Sequence, residues 1–514
     1  MAQHIQLNPD ALTQIRTVNP RLISYNVEMT EVTGGTFWKA YTDAQIDGTE
    51  QVPPPDFSKG LASMHQWYDP IDTTNPRLRK LAKELGSCWV RVSGTWATRT
   101  YYDFADEYPA GTAPEGYQNV LKKQQWLNLL DFVKAVGGKL KISVNNCDGL
   151  HAHDEPWHPG QAELIFGLSK EYGVPVEAVE FVNEPNMLKN TGFPKDYTAA
   201  DFRRDQDIFH KWVRENYPEC LIIGPSDTDP NAMTVDADGN PHPWSGVGSL
   251  EAAGIANALP YCSTADLMDG CTEPLDIFSY HYYNGVSERM AAMMPSAFTP
   301  YEGCMSEEYL GAASHTARCF LSYRDKYATP GGEMWVTESG DAGAGGHTWA
   351  STYAEVIRTL NEIGSFATVT DGVIFHNTLA SSDYGWLKHG TFVPRPSYFS
   401  VLLWKRIMGD TVYASGEAIR EGAHVFAHSR GDGQEGAAYL VINTSWTDTT
   451  TVEIPTEAEI YALTGNGSMR SRTMLLNGRE LVLGENDELP CLCGEKVKAG
   501  TIEVAPGGCT FIVL

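Results

Sequence analysis

The sequence predicts a (β/α)8 TIM barrel followed by a small C-terminal antiparallel β-sandwich domain. Eight short apolar runs alternate with longer helix-compatible stretches from about residue 22 onward. After residue 410 the pattern changes to short strand-like segments separated by Gly, Asn, Asp and Pro. The length of 514 residues accommodates one large barrel and an accessory domain, at roughly 150 residues per domain.

The eight apolar runs are rich in Val, Ile, Phe, Tyr and Trp, which is typical of parallel strands buried on both faces. In chain order they are LISYNVEM (22–29), CWVRVSG (88–94), LKISVNN (140–146), AVEFVNEP (178–185), CLIIGPS (220–226), DIFSYHYY (276–283), EMWVTESG (333–340) and VTDGVIFHNT (369–378). Eight strand–helix alternations close a barrel. An open doubly wound sheet is the alternative, but it usually has fewer strands and a glycine-rich first turn. No GxGxxG follows the first run, so the count favours the barrel.

Helix candidates fill the segments between the strands, and they include 75–86, 122–138, 161–173 and 199–216. The first has Pro76 near its start and Gly86 just past its end, the positions where proline and glycine favour helix ends. The second carries its apolar residues at helical spacing: Trp126, Leu129, Leu130, Phe132 and Val133.

The chain is expected to divide into three parts. Residues 1–20 precede the first barrel strand, residues 21–409 form the barrel, and residues 410–514 form the β-sandwich. Segments such as AAYLVINTS, TTVEIP and TIEVAPGGCTFIVL predict short antiparallel strands. Because the N-terminal HIQLNP lies outside the barrel pattern, we expect it to add one strand to the sandwich.

The charge of the chain excludes some partners. It has 38 Lys and Arg against 65 Asp and Glu, a net charge of −27, which disfavours nucleic acid and anionic lipid surfaces. No apolar run approaches the roughly 20 residues that span a bilayer, so no membrane insertion is expected. The first residues show no signal-peptide pattern, so we expect a cytoplasmic protein, or a secreted or periplasmic one whose signal was removed. The sequence does not indicate an oligomeric state.

Two of the predicted strands end in a glutamate. The fourth strand ends with NEPN (183–186), and the seventh ends with TESG (337–340). In a (β/α)8 barrel the active site lies at the carboxyl ends of the strands. Glu184 and Glu338 are far apart in the sequence and meet only if the barrel closes, so the fold and the pairing of these two residues depend on each other.

Two facing carboxyl groups are what cleavage of a glycosidic bond requires. One protonates the leaving oxygen, and the other supplies negative charge to an oxocarbenium-like centre. Identical side chains take these two roles when their surroundings separate their pKa values. Asn183, beside the acid, is placed to hold a sugar 2-hydroxyl. Tyr282, at the end of the sixth strand, is the candidate to hydrogen-bond the nucleophile, with Tyr280 on the same strand face.

Two other motifs have weaker interpretations. The loop HAHDE (151–155) with His158 is dense in possible metal ligands, but HExxH and CxxC are missing. We expect a structural or sugar-contacting loop there, and we predict no metal and no cofactor. The glycine-rich stretch 340–346 lacks the GK[ST] of a nucleotide-binding loop. It is either a flexible barrel loop or a set of backbone N–H groups that binds an anion such as a sugar carboxylate.

The motifs VEFVNEPN and WVTESGDAGAGG resemble the two catalytic motifs of glycoside hydrolase family 79, the heparanase and β-glucuronidase family. The likeness extends to NPRLRKLAKELGSCWVRVSGTWATRTYYD, SYHYYNG and PRPSYFSVLLWKRIMGD. It runs from about residue 20 to 410, and the β-sandwich follows the family architecture. NEPN alone occurs across the whole clan, whereas the ordered set of motifs is much more specific.

The resemblance implies roles for the residues already singled out. Glu184 corresponds to the acid/base and Glu338 to the nucleophile. Asn183 corresponds to the residue that holds the 2-hydroxyl, and Tyr282 to the residue that supports the nucleophile.

The resemblance also implies a site for the glucuronate carboxylate. The family binds this group through backbone N–H groups of the glycine loop and a tyrosine, which match Ala344, Gly345 and Tyr384. Further residues that line the same sugar match Glu28, Thr95 and His376. Glu28 and His376 stand where the animal heparanase pattern has Asp and Gln.

The resulting hypothesis is retaining hydrolysis of β-glucuronic acid linkages by double displacement, with exo and endo action both open. The expected partner is a glucuronide or a glucuronic-acid-containing saccharide. One alternative is a retaining clan A glycosidase for neutral sugars such as xylosides or arabinosides, which needs the same glutamates without an anion site. The other is a non-catalytic carbohydrate-binding barrel, which has no need of both glutamates.

Overall fold

The computed structural model describes residues 3–109, 111–188, 192–228, 234–235, 241–242, 262–415 and 422–514. Eight parallel strands form a closed barrel. They are β1 (Ile23–Glu28), β2 (Trp89–Ser93), β3 (Lys139–Ser143), β4 (Val176–Glu180), β5 (Leu221–Asp227), β6 (Ile277–Tyr283), β7 (Met334–Gly340) and β8 (Ile374–His376). β8 pairs with β1, placing Phe375 beside Ser24. This pairing closes the ring, confirms the predicted barrel and rules out the open sheet.

A helix follows each barrel strand. The helices are α1 (Pro76–Glu84), α2 (Lys123–Ala135), α3 (Gly160–Tyr172), α4 (Ala199–Asn216), α5 (Thr264–Met268), α6 (Glu307–Tyr327), α7 (Ala354–Val369) and α8 (Pro396–Ile407). α1 begins with Pro76 after Asn75, whose side chain accepts hydrogen bonds from the backbone N–H groups of Arg77 and Leu78. The first four helices match the predicted ones within three residues at each end, with α4 matching at both. No helix in the described parts of the chain is long and apolar enough to cross a membrane.

The barrel interior is layered. At the amino end of the strands, large side chains such as Trp89, Ile277, Trp335 and Phe375 pack into a separate apolar cluster. Because successive side chains of a strand point to opposite faces, the next inward residues lie one layer higher. That layer is polar: Arg91 on β2 and Ser279 on β6 are completely buried. The polar layer therefore lies between the apolar cluster and the carboxyl ends of the barrel strands.

The loops after β1 and β2 contain their own short elements. After β1 come the helices Met29–Thr33 and Asp43–Ile46 and an antiparallel pair of strands, Gly35–Trp38 and His65–Tyr68. After β2, Thr100–Asp103 pairs in parallel with Asn119–Lys122. A two-residue pair, Thr234–Val235 and Pro241–His242, follows β5. These excursions leave from the carboxyl end of the barrel, where they frame the site.

Two antiparallel-rich sheets follow the barrel. The larger has the order Thr13–Thr17, Met408–Ala414, His424–Arg430, Ala437–Ile442, Cys509–Val513, Ala458–Gly465, Met474–Leu476, Arg479–Glu480, with Glu495–Val497 also paired to Ala458–Gly465. The smaller has the order His4–Gln6, Thr450–Ile454, Gly500–Val504. Ile5, Val441, Val452 and Ile512 lie in the apolar core that the sheets share. This is the sandwich that the sequence predicts.

The N-terminal segment supplies two strands, where one was expected. His4–Gln6 pairs in parallel with Thr450–Ile454, and Thr13–Thr17 pairs antiparallel with Met408–Ala414. The second strand was missed because TQIRT is almost wholly exposed and so lacks an apolar pattern. We propose that residues 1–20 belong with the C-terminal sandwich, and that the barrel occupies 21–409 and the sandwich proper 410–514.

The barrel and the sandwich meet at α7. Nearly every residue of this helix is buried, and a side chain at Gly364 would collide with the ring of Phe426 in the sandwich. Oδ1 of Asn361 on α7 accepts a hydrogen bond of 2.6 Å from Nδ1 of His424. The sandwich thus packs against α7, the helix that follows the strand carrying Glu338.

We expect Ile5→Ala to lower the free energy of unfolding by about 2–5 kcal/mol, because it empties a fully buried position between the sheets. Ile15→Ala is the matched control, since Ile15 lies on the other N-terminal strand and is 40% exposed. It should cost less than about 0.5 kcal/mol. Urea unfolding of both variants measures the difference, and equal losses would contradict the placement of the first strand in the core.

Candidate active site

The two glutamates come together at the carboxyl end of the barrel. Glu338 lies within β7, and Glu184 lies four residues beyond the end of β4, with a left-handed φ of 48°. The backbone N–H of Glu184 donates to the carbonyl of Ser226, 3.2 Å away. A carboxylate oxygen of each glutamate lies within 4.8 Å of the other. Both residues are buried, at 8% and 5% exposure, so the predicted pair is assembled largely away from solvent.

A histidine that the sequence analysis did not single out lies between the two glutamates. His281 is on β6, and its Nδ1 is 3.0 Å from Glu184 Oε1 and 3.6 Å from Glu338 Oε2. The ring is 2% exposed. Because His281 contacts both carboxyl groups, it fixes their relative positions.

Arg91 on β2 anchors the nucleophile candidate from below. Its Nη1 donates to Glu338 Oε1 at 2.9 Å, and its Nη2 donates to Glu180 Oε1 at 2.6 Å and to Asn183 Oδ1 at 2.7 Å. Glu180 Oε2 in turn accepts from Lys141 Nζ. All three charged residues of this group, Arg91, Lys141 and Glu180, have no solvent exposure. A charged residue inside an apolar strand run, as in CWVRVSG, was the available signal for this network.

The surroundings shift the pKa values of Glu338 and Glu28 in opposite directions. Burial raises the pKa of Glu338, but the neighbouring His281 and Arg91 outweigh burial and hold this pKa below its ordinary value. Glu28, at the end of β1, has a pKa raised well above its ordinary value by burial and then by the charge of Glu338. The environment therefore favours an ionised Glu338 beside a neutral Glu28, which is the electrostatic state that a nucleophilic carboxylate needs.

The tyrosine that contacts Glu338 is Tyr283, and the prediction of Tyr282 is wrong. Tyr283 Oη donates to Glu338 Oε2 at 2.8 Å. Tyr282 and Tyr280 do share a face, but it is the outer face: the Tyr280 ring stacks on Phe320 of α6 with centroids 4.1 Å apart. The inward residues of β6 are Ser279, His281 and Tyr283, so the alternation was assigned one residue out of phase.

His376 is also displaced from its predicted role. Its Nε2 contacts the carbonyl of Tyr384 at 2.6 Å, and its ring stacks on Trp386 outside the barrel lumen. Burial lowers its pKa to about 3, so the ring is neutral. The neighbouring Asn377 faces the site instead, and its Nδ2 donates to the hydroxyls of Tyr283 at 2.9 Å and Tyr384 at 3.3 Å.

Tyr384 links the glutamate pair to the glycine loop. Its hydroxyl joins Tyr283 through Asn377, and a side chain at Gly346 would meet its Cβ at 3.2 Å. In the glycine loop Ala344 and Gly345 both have positive φ, 66° and 89°. None of the hydrogen bonds among the described residues uses the N–H of Ala344 or Gly345. The loop thus offers two adjacent backbone donors.

The remaining predicted residues are Asn183, Thr95 and Glu28. Asn183 is buried beside Glu184, with its Oδ1 bonded to Arg91. Thr95 is half-buried in the turn after β2. The preceding Gly94 has φ 95°, and a Cβ there would overlap Glu28 Oε2. A glycine at position 94 is therefore needed for Glu28 to reach the pocket.

The histidine-rich loop is held by ordinary hydrogen bonds. His151 Nδ1 contacts the carbonyls of Ala152 and Glu155, and His158 Nε2 contacts the carbonyl of Leu150. Among the described residues, the one cluster with the ligand types and spacing for a metal is Glu184, His281 and Glu338 themselves. The Arg91 guanidinium bonded to Glu338 already supplies positive charge there, which disfavours a second cation.

A closed parallel barrel with paired glutamates at the ends of its fourth and seventh strands defines a glycoside hydrolase of clan A. No family model matches the chain. Baicalin-β-D-glucuronidase of Scutellaria baicalensis is 30% identical over 472 residues, which cover 86% of this chain and 84% of that protein. Heparanase-like protein 1 of Arabidopsis thaliana is 24% identical over 501 residues, covering 86% and 85%. The chain belongs to glycoside hydrolase family 79.

A solved structure shows the same fold. A 4-O-α-L-rhamnosyl-β-D-glucuronidase from Fusarium oxysporum aligns with 99% of this chain and 100% of its own, at a TM-score of 0.64. Its sequence identity is 12%. The two proteins therefore share a fold although their sequences are only distantly similar.

Tyr283→Phe should lower kcat about 10- to 100-fold, because it removes a hydrogen bond to a charged carboxylate. Tyr282→Phe is the matched control one residue away. The Tyr282 hydroxyl has no hydrogen-bond partner in the described structure, so this change should leave kcat within about threefold. Steady-state rates on an aryl glycoside substrate compare the two. A greater loss of kcat in the Tyr282 variant would instead support Tyr282 as the residue that hydrogen-bonds the nucleophile.

Proposed function

We propose that the protein is a retaining hydrolase of β-linked glucuronic acid, acting on a glucuronide or a glucuronic-acid-containing saccharide. The observation that carries this proposal is the pair of uncommitted backbone N–H groups at Ala344 and Gly345, connected through Tyr384 to a close pair of glutamates. The glutamates alone suit any clan A glycosidase. The two free N–H groups add a binding position for the carboxylate of a uronate.

The spacing of the glutamates supports a retaining mechanism. Retaining enzymes hold their two carboxyl groups about 5–5.5 Å apart, whereas inverting enzymes leave about 6.5–9.5 Å for a water molecule. The oxygens of Glu184 and Glu338 that approach each other lie within 4.8 Å. This close approach lies nearer to the retaining range than to the inverting one, which supports a direct attack by a carboxylate.

The role of each glutamate follows from its neighbours. Glu338, held ionised by His281, Arg91 and Tyr283, attacks the anomeric carbon as the bond to the leaving oxygen breaks. Glu184 gives that oxygen a proton. In the second step Glu184 takes a proton from water, the water oxygen bonds to the anomeric carbon, and the bond to Glu338 breaks.

The other pocket residues bind the sugar. Asn183 is the proposed partner of the 2-hydroxyl, because it adjoins the acid and is oriented by Arg91. Glu28 and Thr95 are proposed to line the same sugar. The carboxylate of the glucuronate accepts hydrogen bonds from the N–H groups of Ala344 and Gly345 and from Tyr384. Asn377 takes the place that was predicted for His376.

Glu338→Gln should abolish hydrolysis of every substrate, because no nucleophile remains. Glu184→Gln should retain much more activity on an aryl glucuronide with an acidic leaving group than on an alkyl glucuronide, since a good leaving group needs little protonation. Initial rates on both substrates separate the two roles. Equal losses on both substrates in both variants would contradict the assignment.

The sugar itself is tested with the unmodified enzyme. Nitrophenyl β-glucuronide, β-glucoside and β-xyloside share one leaving group and differ only at C5. We expect kcat/KM to be highest for the glucuronide. A preference for the xyloside or glucoside would instead support a glycosidase for neutral sugars, and binding of uronides without turnover would support a non-catalytic barrel.

A further inference from the structure

The loop after β6 holds the peptide groups of the glycine loop in place. The backbone N–H of Ser287 donates to the carbonyl of Gly343 at 3.0 Å, and the Ser287 hydroxyl donates to the carbonyl of Ala344 at 3.0 Å. Nη1 of Arg289 donates to the same Ala344 carbonyl at 3.1 Å. The carbonyls of the two peptide groups that precede Ala344 and Gly345 in the loop are therefore both anchored from one side.

Peptide geometry converts this anchoring into a direction for the N–H groups. In a trans peptide the C=O and the following N–H point to opposite sides. Anchoring the Gly343 carbonyl thus directs the N–H of Ala344 away from Ser287. Anchoring the Ala344 carbonyl likewise directs the N–H of Gly345 away from Arg289. Both free N–H groups therefore point away from the loop after β6 that anchors their carbonyls.

Arg289 also joins three separate segments around this loop. Besides Ala344, its guanidinium donates to the Gly346 carbonyl at 3.0 Å, to Asp383 Oδ2 at 2.9 Å and to the carbonyl of Lys39. The guanidinium lies 3.7 Å from the ring centroid of Tyr41, and the residue is 4% exposed. Asp383 precedes Tyr384, so one side chain fixes the amide donors relative to the tyrosine.

We propose that Ser287 and Arg289 are positioning residues that give the site its selectivity for an anionic sugar; this inference rests on the proposed function. Neither residue has to touch the substrate. They orient the N–H groups of Ala344 and Gly345, and Arg289 does so with a planar fork of five donors that lysine cannot reproduce.

The test compares a charged and a neutral probe of the same pocket. Cyclophellitol epoxides of glucuronate and of glucose configuration both trap the nucleophile covalently, and intact-protein mass spectrometry follows their rates of inactivation. Arg289→Lys should slow inactivation by the glucuronate-configured epoxide about 10- to 100-fold, mainly through weaker binding. It should leave the rate with the glucose-configured epoxide within about threefold. Ser287→Ala should show the same selectivity loss at about threefold to tenfold.

The control is Arg214→Lys, which alters a bidentate arginine–aspartate pair with Asp276 at the amino end of β6. This variant should change the rates of inactivation by both epoxides equally, or leave both rates unchanged. If Arg289→Lys does not fold, as judged by thermal melting, Ser287→Ala decides the question. Equal slowing of both epoxides, or no change in either variant, would overturn the inference alone. A wild-type enzyme without preference for the glucuronate epoxide would overturn the proposed function and this inference with it.

Discussion

The buried guanidinium of Arg91 is the interaction on which the site depends. It extends from β2 to Glu180 on β4 and to Glu338 on β7, so it spans the closed barrel from within. A buried charge is tolerated only when it is paired and hydrogen-bonded, and Arg91 meets this condition solely because the barrel brings three distant strands together. Removing it would take one hydrogen-bonded positive charge from two buried carboxylates, Glu180 and Glu338, a loss of about 3–5 kcal/mol for a broken buried pair. Fold and chemistry therefore share one interaction.

The same network explains how similar side chains acquire different roles. Glu28 and Glu338 lie in one pocket, yet burial drives the pKa of Glu28 far up, while His281 and Arg91 keep the pKa of Glu338 low. These opposite pKa shifts favour a charge on Glu338 rather than on Glu28, which reduces repulsion between two carboxylates. In the glycine loop the charge is stabilised differently, by backbone N–H groups whose direction is set by the hydrogen bonds to the preceding carbonyls. In the proposed mechanism a negative nucleophile and a negative substrate carboxylate thus occupy separate, individually stabilised positions.

Sequence reasoning recovered the features that depend on local pattern and on order along the chain. The eight buried strands, and Glu184 and Glu338 at the strand ends, follow from apolar runs and their polar termini. Two predictions were wrong by one residue: Tyr282 was predicted in place of Tyr283, and His376 in place of Asn377. A short buried strand is apolar on both faces, so its sequence does not indicate which face points into the barrel. His281 was not predicted, because its role depends on contacts with two glutamates from other strands. Such contacts exist only after the barrel closes.

We propose that closure of the barrel places Glu338 close enough to Glu184 for Glu338 to act as a direct nucleophile on a β-glucuronide. The most direct measurement is the anomer released first, read from the proton NMR spectrum during the opening minutes of hydrolysis, before mutarotation mixes the anomers. Two successive displacements at the anomeric carbon predict that free β-glucuronic acid appears first. Initial release of the α-anomer would mean a single displacement by water, and it would contradict both the role of Glu338 and the close approach of the two carboxyl groups.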